Sequence, residues 1–160
     1  MRKSSLIKAL RVVKENERLA SESYAAAAEK INHPAGKDLL QQLSEFENFH
    51  FERISALEKS LEEDGEYIDY YGRELPLPAT FEIKAAQEPN HKSLMKIITE
   101  ARALEKETEL AYADLAIQIK DPQGHEMFNK LSEEERIHFR ILSDAYWNLS
   151  NLGVWKWSRP

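Results

Sequence analysis

Apolar residues return along this chain in alternating steps of four and three. From Leu6 they run through Leu10, Val13, Ala20, Tyr24, Ala27 and Ile31, with Glu17 standing inside the stripe. That period is one face of an amphipathic helix. Asn32-His33-Pro34-Ala35-Gly36 breaks it, and a second stripe follows through Leu40, Leu43, Glu47, His50, Ile54, Leu57 and Leu61. A third runs Leu94, Ile98, Ala101, Glu105, Thr108, Tyr112, Leu115 and Ile119. After Lys120-Asp121-Pro122-Gln123-Gly124 a fourth takes Phe128, Leu131, Glu135, His138, Leu142, Ala145 and Leu149. Short breaks of this kind return the chain antiparallel. The pattern therefore predicts an all-α domain over residues 1–150, an antiparallel four-helix bundle made of two hairpins, about 4–62 and 91–150.

Between the hairpins, residues of about 62–90 lose the period. Asp64-Gly65, Tyr71-Gly72 and Pro76-Leu77-Pro78 are turn signals, and a short helix is expected around Phe81 to Ala86. A connection of that length is unusual inside a compact domain, and it suits a crossover between two hairpins of a bundle. Tyr67, Tyr70, Tyr71 and Phe81 are the aromatics available to pin it down. The tail, 151–160, leaves the last helix at Gly153 and carries Trp155 and Trp157, which are expected to pack on the bundle or on a second subunit.

The polar members of the stripes form a repeat. Glu47-Asn48-Phe49-His50 and Glu135-Arg136-Ile137-His138 each place a carboxylate and an imidazole one helical turn apart, and they stand 88 residues apart (135 − 47). The same offset carries Glu17 onto Glu105, Tyr24 onto Tyr112, Ile31 onto Ile119 and Pro34 onto Pro122. The midpoint of 17 and 50 falls at the first break and that of 105 and 138 at the second, so within each hairpin the polar groups lie at one height. Pairing the hairpins on their stripes brings Glu17, Glu47, His50, Glu105, Glu135 and His138 together in a dry interior.

Four carboxylates packed there cannot all stay ionised without cations. One Glu from each of two helices and Glu-x-x-His from each of the other two is the donor set of di-iron and di-manganese carboxylate bundles. Oxygen and imidazole donors without thiolate suit two iron ions, with manganese or a mixed pair as alternatives. Glu17 and Glu105 are read as terminal ligands, Glu47 and Glu135 as bridges, and His50 and His138 as one imidazole for each metal. Tyr24 and Tyr112 lie on the same faces, placed to donate hydrogen bonds to ligand carboxylates, to relay an electron, or simply to fill the core. Glu45 and Glu133 are expected to point elsewhere, and His33, His91 and His125 sit at helix ends with solvated roles.

Composition narrows the function further. At 160 residues, 42% hydrophobic and 31% charged, the chain suits one globular domain. A net charge of −6 argues against nucleic acid or an anionic membrane as partner. The absence of cysteine excludes disulfides and thiolate metal sites. Met1-Arg2-Lys3 is not followed by an apolar signal region, and no segment is long and apolar enough to span a bilayer, so a cytoplasmic location is expected.

On the doubled Glu-x-x-His motif, from Leu6 to about Leu149, the chain resembles the ferritin-like superfamily and, within it, the rubrerythrin-like proteins. The resemblance implies a dimeric di-iron bundle that reacts with hydrogen peroxide or dioxygen. Familiar rubrerythrins receive electrons through a C-terminal rubredoxin domain; with no cysteine here, the donor is expected to be an external protein. Rubrerythrins also carry an extra ligand glutamate where this chain has Thr108, so the resemblance favours a symmetric six-ligand site; Glu107 and Glu109 flank that position and are expected to point away. Two other readings stand beside a peroxidase or oxidase: a ferroxidase for iron storage, as in mini-ferritins, and a metal-poor helical interaction module.

Overall fold

Four long helices carry the chain. Residues 1–77 and 80–158 are described by the computed structural model. Helix α1 spans Lys3–Lys30, α2 Pro34–Glu63, α3 His91–Gln118 and α4 Pro122–Leu152, with two short strands, β1 (Thr80–Lys84) and β2 (Val154–Ser158). Helix α1 packs along α2, α3 along α4, and α1 against α3. Cross-helix bonds fix the sense of each pair. Lys14 reaches Glu58 and Ser21 reaches Ser44 across the first hairpin, while Arg102 reaches Ser143 and Ser132 reaches the Glu109 carbonyl across the second. Both pairs are antiparallel.

The turns are built from local chemistry. Pro34 and Pro122 occupy the first turns of α2 and α4, where a missing N–H costs nothing. Asp121 caps α4 by accepting from the Gln123 and Gly124 backbone N–H groups. The first turn is fastened differently: His33 Nδ1 accepts from Gly36 at 3.4 Å, and Glu88, arriving from the crossover, accepts from the Asn32 and His33 N–H groups at 2.7 and 3.1 Å. His125 donates to the Ala116 carbonyl across the second turn. Gly124 lies so close to Tyr67 that an added Cβ would stand 2.5 Å from its ring.

The core divides in two. One apolar cluster contains Ala20 to Ile31, Leu39 to Leu43, Leu94 to Ala101 and Ile141 to Leu149. The other contains Leu6 to Val13, Ile54 to Leu61, Tyr112 to Ile119 and Met127 to Leu131. Along every helix the stripe glutamates and histidines fall between these two sets, so a polar layer crosses the middle of an apolar interior.

The connection differs from its expected form in two places. Phe81 to Ala86 is not a helix. Thr80, Glu82 and Lys84 are exposed while Phe81 and Ile83 are buried, the two-residue alternation of a strand. It pairs antiparallel with the tail, Phe81 opposite Trp157 and Ile83 opposite Trp155, and continues into a single 3₁₀ turn, Ala85–Gln87. The tail thus packs on the bundle itself, where Trp155 is buried edge-on against Phe81 and donates to Asp144. Of the aromatics expected to pin the crossover, Tyr70 and Phe81 are buried, but Tyr71 is 83% exposed. Pro78 of the third turn signal and residues 159–160 of the tail lie outside the described residues. Among the described residues, no helix is long and apolar enough to cross a membrane.

Replacing Glu88 with alanine strips two backbone donors of their acceptor, and is expected to destabilise the fold by about 1–2 kcal/mol. Chemical denaturation measures this, with Glu88→Gln, which keeps one carbonyl acceptor, falling between wild type and alanine. Equal stability of all three would show that the clamp contributes nothing.

Candidate metal centre

The six stripe residues converge. Glu17, Glu47, His50, Glu105, Glu135 and His138 are each no more than 1% exposed. They form two overlapping quartets, Glu17/Glu47/His50/Glu135 and Glu47/Glu105/Glu135/His138, and within each quartet one donor atom per residue lies within 4.8 Å of the others. Glu47 and Glu135 belong to both. His50 Nδ1 stands 2.7 Å from Glu135 Oε1, 3.2 Å from Glu17 Oε2 and 3.6 Å from Glu47 Oε2. His138 Nδ1 stands 2.6 Å from Glu47 Oε1, 3.7 Å from Glu135 Oε2 and 3.9 Å from Glu105 Oε1. Each imidazole therefore turns the same nitrogen toward the carboxylates.

The tyrosines cross between hairpins. Tyr24 donates to Glu105 Oε1 at 2.7 Å and Tyr112 to Glu17 Oε1 at 3.1 Å, and both phenols are fully buried. Each fixes the rotamer of the glutamate on the opposite hairpin. Burial and the neighbouring carboxylates hold both phenols well above their ordinary range, so they remain donors.

Without a cation, protons hold the centre together. Burial, with the Glu135 and Glu47 charges, holds Glu17 well above the usual carboxylate range; burial and Glu47 do the same to Glu105. Burial, Glu105 and Glu47 push Glu135 up to about 8. Glu47 is the exception: burial opposes its charge, but a hydrogen bond from Glu17 and the His138 imidazolium outweigh it and hold the group well below its ordinary value. Burial likewise opposes charge on the imidazoles and is outweighed. Glu17 and Glu135 hold His50 well above the usual histidine range, and Glu47 holds His138 at about 9.

Sequence reasoning passed over Glu134. It is 8% exposed, accepts from His50 Nε2 at 3.1 Å, and is itself held by the Tyr70 hydroxyl and, at 2.9 Å, by the Arg73 backbone N–H. Burial opposes its charge, but these donors, His50 first, keep the carboxylate below its ordinary range. Its signal in the sequence was a second glutamate beside the motif one. Glu109 is also buried but points away from the cluster, pairing with Lys106, and the Thr108 hydroxyl is spent on the Leu104 carbonyl. Glu45 and Glu133 are exposed, and His33, His91 and His125 remain at helix ends.

The donor set fits a pair of divalent cations. Glu105 Oε2 and Glu135 Oε2 are buried with no hydrogen-bond partner, in the quartet that also contains His138. Orphaned carboxylate oxygens inside a protein call for a cation or a proton. The donors are oxygen and imidazole only, the set favoured by iron and manganese and open to zinc. Comparisons of the chain with protein-family models, with curated proteins and with solved structures find no match.

The raised pKa values set the sign of the metal-free protein's pH dependence. Folded values above the unfolded 4.5 and 6.5 give stability that is present at low pH and lost as pH rises through about 8 for Glu135 and about 9 for His138. Glu47 acts oppositely, but only as pH falls below 4.5. The melting temperature of the metal-free protein is expected to fall between about pH 6 and pH 9, and a bound divalent ion to abolish the fall by taking the place of the protons. A metal-free melting temperature that holds steady or rises over that range would contradict this charge assignment.

Proposed function

We propose that this protein is a di-iron redox enzyme of the ferritin-like, rubrerythrin-like kind, a four-helix bundle that reduces hydrogen peroxide or dioxygen with electrons from an external donor protein. One observation carries the reading: six fully buried donors arranged as two quartets that share Glu47 and Glu135. A site built for one structural ion needs four donors and no shared pair. Where bound, a pair of ferrous ions supplies the two electrons that, with two protons, turn hydrogen peroxide into two molecules of water.

The chain's own contribution is placement. Glu17 with His50 and Glu105 with His138 would hold one ion each, and Glu47 and Glu135 would hold both. Tyr24 and Tyr112 keep the terminal carboxylates from rotating away. Glu134 fixes the ring of His50. The apolar clusters on either side exclude water, which strengthens every charge interaction between them. Manganese is the alternative occupant.

The test starts with metal-free protein loaded anaerobically with about two ferrous ions per chain, the number two quartets would hold. Stopped-flow absorbance then follows ferric product after mixing with peroxide or with dioxygen. Faster oxidation by peroxide, at one peroxide per two irons, is expected of a peroxidase. Faster oxidation by dioxygen with continued iron uptake would instead identify a storage ferroxidase. Glu47→Ala and Glu135→Ala are each expected to abolish tight binding of both ions and the oxidation with it; retained activity in either would overturn the assignment. Failure of the wild type to bind two metals would leave a helical interaction module.

A further inference from the structure

We infer that the two metal positions are inequivalent: the position on His50 grips its cation tightly, and the position on His138 exchanges its cation through a surface cleft. The inference rests on the proposed metal centre and goes beyond it. It comes from what stands behind each imidazole. Behind His50 is Glu134, 3.1 Å from Nε2, and Glu134 is clamped in turn by Tyr70 and by the Arg73 backbone. The residue 88 positions earlier in the chain (134 − 88) is Phe46. Phe46 packs edge-on against His138, ring centroids 4.5 Å apart, and offers no carboxylate.

A carboxylate behind a ligand histidine fixes its ring and tautomer and raises its basicity, and losing one weakens metal affinity about 10- to 100-fold. His50 has that partner and His138 has an aromatic edge. Access differs in the same sense. Tyr70, 8% exposed, and Phe49 pack over His50, ring centroids 6.3 Å from it in each case. His138 itself lines a cleft of about 400 Å³, with Phe46, Leu75 and Leu77 of the crossover and Ile137 of α4, whereas on the other side that cleft reaches Glu134 but not the His50 ring. The weaker position is thus also the one with a way out.

Cobalt(II) tests this without redox chemistry. Calorimetric titration of the metal-free protein is expected to resolve two steps whose affinities differ about 10- to 100-fold, and His138→Ala to remove the weaker one alone. Glu134→Gln keeps the shape, and is expected to weaken the tighter step by that factor while the other step stays in place. Chelator challenge of the loaded wild type gives an independent reading: one cobalt is expected to leave in a fast phase and the other slowly. Ile137→Trp, which fills the cleft, is expected to slow the fast phase and leave both affinities unchanged. Two equal affinities, a Glu134→Gln variant that weakens both steps alike, or a single release phase would overturn the inference and leave the proposed function standing. Failure to bind two cobalt ions per chain would overturn both.

Discussion

Six ionisable side chains are almost wholly buried, and the rest of the structure answers to that constraint. Glu17, Glu47, His50, Glu105, Glu135 and His138 occupy a layer between two apolar clusters, each at most 1% exposed. Isolated charges there would unfold the chain, so each must share a proton, a hydrogen bond or a cation with another. That requirement explains why every helix carries its polar members at one height. It also explains why the Tyr24 and Tyr112 hydroxyls reach across to the opposite hairpin's glutamate. A buried network of this kind is stable only when complete, and the partnerless oxygens of Glu105 and Glu135 mark where a proton or a cation completes it.

The layer was legible in the sequence because helical geometry makes it so. A residue's face follows from its spacing, and its height within a hairpin follows from its distance to the turn. Glu17 therefore matches His50 across the first break, and Glu105 matches His138 across the second, on spacing alone. The features that escaped depend on segments without a period. Glu134 lies one residue off the stripe, and its burial follows from Tyr70 and Arg73, which the crossover brings to it. Over strand β1 the spacing of Phe81, Ile83 and Ala86 fits a short apolar turn as well as an alternation. Its partner, β2, comes from the far end of the chain, and local spacing cannot see a partner so distant.

Connectivity then explains why the centre departs from the symmetry of its donors. Two hairpins related by an 88-residue offset place six donors in mirrored positions, but a single crossover joins them and meets the two halves with different residues. In chain order it delivers Tyr70 and Arg73 to Glu134, Phe81 and Ile83 to the apolar cluster beside β2, and Glu88 to the first turn. Toward His138 the crossover brings Leu75 and Leu77, and α2 offers the ring of Phe46. At position 46 the ring instead lies under the Arg73 guanidinium, 5.9 Å from its centroid, and packs edge-on against His138, while the Tyr70 hydroxyl and the Arg73 backbone N–H are committed to Glu134. The unequal surroundings of the two imidazoles follow from joining a doubled hairpin by a single strand of chain.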